Sequence, residues 1–319
     1  MYKLGIDLGG TNIAVGVVDE NYKIIATAQC STGADRDNDA IISDIAKTAL
    51  EAIDNAGLSV KDISGAGIGA PGTVDPKNGI IVYSNNIAFK NVPITDLLKE
   101  KTGLDFYLEN DANCAAWGEY LAGAGKDAKN FIMITLGTGV GGGIVINGKL
   151  YTGCNYAGGE LGHTVISFDG EACTCGRHGC YEAYASVTAL IRQTKQAMIK
   201  SKDTLMWKFC GGDLNNVTGK TAFKAAKNGD KVADRVVNKY AEYVGVGVAN
   251  IMNIFQPDII CIGGGISREG ERLLEPVRDF VMCENYARNS KIEGEIKAAT
   301  LGNDAGIIGA AYISDINEG

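Results

Sequence analysis

Three short apolar stretches open the chain, at residues 3–8, 13–18 and 24–28, separated by Gly9-Gly10-Thr11-Asn12 and Asp19-Glu20-Asn21. Apolar runs bounded by turn-forming residues predict strands, so this segment reads as a meander with a glycine-rich tip. A helical period follows at 39–56, then a small-residue strand at 63–70 ending in Pro71-Gly72. Beyond these the pattern predicts a helix near 94–101, a strand at 105–108 and a helix through 115–121. The meander then recurs at 131–136, 142–146 and 150–151, with Gly137-Thr138-Gly139-Val140-Gly141 at its first turn and Asn147-Gly148 at its second. Two copies of one unit predict duplicated domains facing each other across a cleft. The longest helical period spans 231–255, where Val236, Val237, Tyr240, Val244, Val248 and Ile251 recur on one face and Pro257 follows. Gly245, Gly247 and Ala249 in that helix are expected to let another backbone approach closely. A strand at 259–262 runs into Gly263-Gly264-Gly265, and a small-residue helix at 304–313 is expected to return to the N-terminal domain. Strands alternating with helices make the class α/β.

Composition narrows the function. The 319 residues are 45% hydrophobic and 21% charged, the balance of a soluble globular protein with room for two domains. A net charge of −8 without a basic patch argues against nucleic-acid partners. Met1-Tyr2-Lys3 leads directly into a strand, and no apolar run reaches spanning length, so no membrane segment and a cytoplasmic location are expected. Nine cysteines in such a compartment do not form a disulfide framework. Cys30, Cys114, Cys154, Cys210, Cys261 and Cys283 lie among apolar or small residues, where cysteine commonly serves as a small buried hydrophobe.

Four segments carry candidate chemistry. The turn Asp7-Leu8-Gly9-Gly10-Thr11-Asn12 can present backbone N–H groups to phosphate oxygens, although one such turn also reads as a plain hairpin. The second turn, 137–143, shifts the balance, because two glycine-threonine turns on duplicated meanders suit a nucleoside triphosphate. Neither is a Walker A loop, since no Lys-Ser/Thr follows the glycines. Glu109-Asn110-Asp111-Ala112-Asn113 joins a strand to a helix, where ligands collect in α/β folds. An aspartate there can take a proton from an attacking hydroxyl, and Asn110 or Asp111 can equally serve as a helix cap. Cys173, Cys175 and Cys180 crowd one loop, with His163 ten residues before the first, and three thiolates plus one imidazole make a closed structural zinc site. Free thiols, a redox pair, or His178 as the competing ligand are the alternatives. Glu160 and Glu182 bracket the cluster and could accept hydrogen bonds from hydroxyl groups.

Taken together, residues 7–12, 109–113, 158–163 and 173–182 resemble the ROK family of repressors, open-reading-frame proteins and sugar kinases, and within it the glucokinases of Gram-positive type. The resemblance covers nearly the whole chain. It implies a two-domain actin-like ATPase fold (hexokinase/Hsp70/actin, ribonuclease H-like) with a cleft between the domains. The smaller domain is expected at 1–110, completed by a C-terminal helix at about 303–319, and the larger at 111–302 with the zinc loop. The implied activity is ATP-dependent phosphorylation of the 6-hydroxyl of glucose. Kinases for N-acetylmannosamine, N-acetylglucosamine or fructose are the alternatives, and a non-catalytic sugar sensor lies further off. By the same resemblance Asp111 is the general base, Asn110, Glu160, His163 and Glu182 hold sugar hydroxyls, and Gly72 and Asn85 line the sugar pocket. Gly9, Gly10, Thr11, Asn12, Thr138, Gly139, Gly264 and Gly265 would contact ATP, and Asp7 would position Mg²⁺. His163, Cys173, Cys175 and Cys180 would hold the structural Zn²⁺. A homo-oligomer is expected, a dimer or a tetramer. The family's repressors carry a helix-turn-helix segment ahead of the first meander, whereas here Ile6-Asp7 follows Met1 almost at once.

Overall fold

A computed structural model describes residues 1–84, 86–291 and 294–317. In chain order the first elements are β1 (Tyr2–Leu8), β2 (Asn12–Val18), β3 (Ile24–Ser31), α1 (Asn38–Asn55), β4 (Ile63–Ala70), β5 (Thr73–Asp75), β6 (Ile80–Tyr83), β7 (Lys90–Val92), α2 (Ile94–Thr102), β8 (Phe106–Asn110) and α3 (Asp111–Ala122). There follow β9 (Phe131–Leu136), β10 (Val140–Ile146), β11 (Lys149–Leu150), α4 (Glu182–Ala185), α5 (Val187–Lys200), α6 (Met206–Phe209), α7 (Gly219–Lys227) and α8 (Lys231–Phe255). The chain closes with β12 (Ile259–Gly263), α9 (Glu271–Glu284), β13 (Glu295–Ala298), α10 (Asp304–Ala311) and α11 (Ser314–Asn317).

Two five-stranded sheets have the orders β3-β2-β1-β4-β8 and β11-β10-β9-β12-β13, and β5, β6 and β7 make a third. The two larger sheets share one plan: a meander whose first strand is flanked by a strand from later in the chain, with a parallel pair at that side (β4 with β8, β12 with β13). Contacts divide the chain into two compact units. One comprises Met1–Ile132, Gly143–Gly159 and Thr300–Gly319, the other Met133–Gly142 and Glu160–Ala299.

In the first unit the strand period sets what each face of the sheet can hold. Leu4, Ile6 and Leu8 of β1 and Ala66, Ile68 and Ala70 of β4 point to a core completed by Ile41, Ile42 and Ile45 of α1. At alternate positions of the same strands Gly5, Asp7 and Gly67 face α10, which lies directly on them. A Cβ on Gly5 would fall 1.9 Å from the Ile307 carbonyl oxygen, and one on Gly67 equally close, at 1.9 Å, to that of Ala310. Helix α3 packs on α10 in the same manner, with Gly118 against the Ala305 carbonyl and Gly309 against the Cys114 carbonyl. Small residues therefore let a helix rest on a sheet, and a second helix on the first, with backbone meeting backbone.

The second unit is built around α8. Asp230 caps it by accepting from the backbone of Val232 and Ala233, both at 2.8 Å, and Gln256 ends it in the left-handed conformation. The glycines of this helix do not meet another backbone, as expected from the sequence, but aromatic rings. A Cβ on Gly245 would strike the Phe280 ring, and one on Gly247 the ring of Tyr181, whose hydroxyl donates to the Val244 carbonyl at 3.0 Å. The cysteines also divide differently from expectation: Cys114, Cys210 and Cys261 are buried, whereas Cys154 and Cys283 are exposed and Cys30 is half-buried. Their sequence neighbours are small or apolar, but those two segments lie at the surface.

Helix propensity alone would make Gly309→Ala stabilising by about 1 kcal/mol. A Cβ placed 1.7 Å from the Cys114 carbonyl oxygen reverses the sign, because backbone must move on both helices. Gly309→Ala is expected to lose about 1–3 kcal/mol in urea unfolding, and a gain in midpoint would refute this packing.

Candidate active site

In the first unit the glycine turn after β1 is closed by the Gly9 N–H donating to the Asn12 carbonyl at 2.9 Å. The Thr32 hydroxyl donates to the Gly9 carbonyl at 2.6 Å, and the Thr32 N–H to that of Thr11 at 2.9 Å. Gly10 allows Asn86 to approach, since a Cβ there would lie 3.1 Å from the Asn86 Cβ. The turn, Asp7 and the start of α10 (Asn303, Asp304) together line a pocket of about 540 Å³, so Asp7, Gly9, Gly10, Thr11 and Asn12 share one wall. Asp7 faces α10 at Gly306, where a Cβ would sit 3.0 Å from its carboxyl group. Burial pushes the Asp7 carboxyl up from 3.8 to about 6.

At the end of β8 the two roles open to Asn110 and Asp111 separate. Asn110 is the cap: its side-chain oxygen accepts from Ala112 at 2.9 Å and Asn113 at 3.2 Å, and its amide donates to the Gly72 carbonyl at 3.2 Å. Gly72 has φ +97°, and a Cβ there would fall 2.2 Å from the Tyr83 carbonyl, so the turn after Pro71 requires glycine. Asp111 is then the first residue of α3, and its Oδ1 accepts the Ala112 N–H at 2.9 Å. Beneath it lies a brace that sequence reasoning missed. The buried Glu109 carboxylate accepts from the Asn110 N–H at 2.8 Å and the Asn113 amide at 3.0 Å. Burial raises its pKa, and those two bonds oppose the rise. Asn85, expected to line the same region, lies outside the described residues.

In the second unit Glu160 and His163 share one short turn, with the His163 N–H donating to the Glu160 carbonyl at 3.1 Å. Glu160 is exposed and His163 half-buried. His163, Cys173, Cys175 and Cys180 converge, with ligand atoms all within 4.8 Å of one another. The Cys173 Sγ to His163 Nδ1 and the Cys175 Sγ to Cys180 Sγ separations are both 3.7 Å. A tetrahedral zinc with sulfur at about 2.3 Å spaces two thiolates by about 3.8 Å, so the donor set fits that ion in both chemistry and spacing. His178 is not part of the group.

Glu182 opens α4 beside this loop. Its Oε2 accepts the Val140 N–H at 3.0 Å and its Oε1 accepts the Thr174 hydroxyl at 3.2 Å, so one carboxylate joins the cysteine loop to the second glycine turn. Gly139 leaves the room this needs, since a Cβ there would lie 2.3 Å from Oε2. The turn is further tied to α5. The Val187 N–H donates to the Gly137 carbonyl and the Thr188 hydroxyl to the Thr138 carbonyl, both at 2.8 Å. Gly264, with φ +87°, packs on Leu136 immediately before this turn, whereas nothing crowds the Cβ position of Gly265. Thr138, Gly139, Gly264 and Gly265 thus belong to one unit, with Gly264 against the strand that leads into the Thr138–Gly139 turn. The ties from Val187 and Thr188 had no signal in the sequence.

The ROK family profile matches residues 3–316. A glucokinase of Thermotoga maritima is 40% identical over 97% of this chain and 96% of its own length. One from Halalkalibacterium halodurans is 39% identical over 97% of this chain and 94% of its own. Among solved structures, a ROK family glucokinase from Streptomyces griseus in complex with glucose and AMPPNP aligns with a TM-score of 0.85 at 36% identity, covering 100% of both chains. No helix among the described residues is long and apolar enough to cross a membrane.

The raised Asp7 pKa has a defined consequence for stability. Because the folded protein holds this proton more tightly than the unfolded chain, ionising Asp7 destabilises the fold increasingly as pH rises from about 4 through about 6. Asp7→Asn removes that penalty. In magnesium-free buffer the variant's urea midpoint relative to wild type is expected to be higher at pH 7.5 than at pH 4, and a difference independent of pH would contradict a buried, shifted Asp7.

Proposed function

The chain belongs to the ROK family, and on that premise we propose that it is an ATP-dependent glucokinase that phosphorylates the 6-hydroxyl of glucose. Its fold is the α/β actin-like ATPase fold of the family's sugar kinases. The likeness to glucokinases along nearly the whole chain carries the reading of substrate and reaction.

In this reading Asp111 accepts the proton of the glucose 6-hydroxyl as that oxygen attacks the γ-phosphorus of ATP. The new O6–P bond forms as the bond from the γ-phosphorus to the bridging oxygen breaks, and ADP leaves. The assignment draws support from the place of Asp111 at the carboxyl end of β8 and the first position of α3, where ligands collect in α/β folds. Asn110, Glu160, His163 and Glu182 would accept or donate hydrogen bonds to sugar hydroxyls, with Gly72 and Asn85 at the pocket wall. The turn at Gly9, Gly10, Thr11 and Asn12, with Thr138, Gly139, Gly264 and Gly265, would receive the nucleotide, whose phosphates suit backbone N–H groups. Magnesium, when bound with ATP, supplies positive charge to the phosphates, and Asp7 on the wall of the first pocket is the residue that would position it. His163, Cys173, Cys175 and Cys180 would hold one zinc with no open position, which makes that ion structural. With Nδ1 turned to the cysteines, His163 would keep Nε2 for a sugar hydroxyl.

The test is ADP release from MgATP by the metal-replete protein with glucose, fructose, N-acetylglucosamine and N-acetylmannosamine supplied separately. Turnover is expected with glucose in clear preference, and a preferred N-acetylhexosamine or fructose would reassign the substrate. Asp111→Asn is expected to lower kcat by about 10²–10⁴-fold while glucose affinity, measured by calorimetry, changes little. Loss of glucose binding in the folded variant would remove Asp111 from the role of base. Metal analysis should find one zinc per chain, and Cys175→Ser should reduce both that content and the melting temperature. Full zinc in Cys175→Ser would exclude this thiolate as a ligand.

A further inference from the structure

The second glycine turn is held by groups whose placement decides which way its amides point. Gly137 and Thr138 both turn their carbonyls to the start of α5, one to the Val187 N–H and the other to the Thr188 hydroxyl, each at 2.8 Å. No peptide bond in the described chain is cis. In a planar trans peptide the N–H points opposite to the C=O. Binding these two carbonyls to α5 therefore aims the N–H groups of Thr138 and Gly139 away from that helix.

Thr188 is free to act in this way because the usual task of a hydroxyl at a helix start is already taken. Ser186, buried, caps α5 by accepting the Ala189 N–H at 3.1 Å. Thr188 is exposed, and its partner lies 50 residues away in sequence. At an exposed position water could satisfy both groups equally well, so this hydrogen bond adds little to stability. What water would not supply is a fixed orientation of the Thr138–Gly139 peptide.

We propose that Thr188 is a positioning residue for nucleotide: its hydroxyl orients the Thr138–Gly139 peptide so that the Gly139 N–H is presented to a phosphate of ATP. The inference rests on the kinase reading above. The hydroxyl touches neither substrate and acts only through the turn, so its removal should affect one substrate and not the other.

The experiment compares wild type, Thr188→Val and Thr188→Ser in steady-state assays with MgATP and glucose varied separately. It is joined to amide hydrogen exchange of the segment containing residues 137–141. Thr188→Val keeps the side-chain shape and removes the hydroxyl. It is expected to raise KM for ATP roughly fivefold, the factor that one ordinary hydrogen bond is worth. KM for glucose and the melting temperature should stay near wild type, exchange across the turn should quicken, and Thr188→Ser should restore both ATP affinity and exchange. An unchanged KM for ATP in Thr188→Val, equal rises for both substrates, or failure of the serine variant to restore function would overturn the inference while leaving the kinase reading intact. A wild-type protein without turnover on any sugar would instead overturn the kinase reading, and this inference with it.

Discussion

The close approach of α10 to the first sheet and to α3 is the constraint on which the placement of the first unit's chemistry depends. It is possible only because Gly5, Gly67, Gly118 and Gly309 carry no Cβ where backbone oxygens come within about 2 Å of the position one would take. Two consequences follow from one packing arrangement. The start of α10 is brought over Asp7, which both walls the pocket and desolvates the carboxyl. Helix α3, whose first residue is Asp111, is anchored from behind by the same α10. The buried Glu119 secures the far end of α3, accepting the Thr300 and Leu301 N–H groups at 2.9 and 2.7 Å just before α10 begins. The polar residues of the pocket lie on β1, its glycine turn and the start of α10, and their positions derive from a glycine-lined contact behind them.

The second unit reaches a comparable result with hydrogen bonds. Glu182 accepts from Thr174 in the cysteine loop and from Val140 at the glycine turn, and α5 holds the two preceding carbonyls. A loop with three thiols and a turn of small residues would each be mobile alone, because glycine loses the most conformational freedom on ordering. Cross-linked through one carboxylate, each restricts the other. A zinc-bound cysteine loop would thereby lend order to the turn assigned to nucleotide, even though the ion itself would touch no substrate.

Much of this was legible in the sequence, and the parts that were not have a common cause. Both meanders, both glycine turns and α8 follow from local periods of two or 3.6 residues and from turn chemistry, which neighbours in sequence determine. The small sheet of β5, β6 and β7 was missed because strands of three or four residues are too short to display a period. The glycines of α8 announced a close approach, but the partner could not be named: space is written in the helix, while the Tyr181 and Phe280 rings that fill it come from distant segments. Asn110 and Asp111 were equally good caps as residue types, and only the fold assigned the cap to Asn110. Thr188 carries no local signal at all, since the carbonyl that its hydroxyl binds lies 50 residues earlier.

The enclosed carboxylates differ in how far their surroundings compensate them. Glu109 and Glu119 are as deep as any charged side chains here, and both are compensated by N–H donors: Asn110 and Asn113 for the first, and Ala124, Thr300 and Leu301 for the second. A carboxylate so furnished is satisfied where it lies, and its work is to tie segments together. Burial raises the pKa of Glu109 and of Asp7 alike, but at Glu109 two hydrogen bonds oppose the rise and at Asp7 burial acts alone. An acid held at about 6 on the wall of that pocket costs stability at neutral pH, and the positive charge proposed to bind there would offset that cost. In the proposed reading a cation arriving with the phosphates of a nucleotide would relieve it, and Asp7 and the glycine turn that lines the same pocket would then serve one ligand.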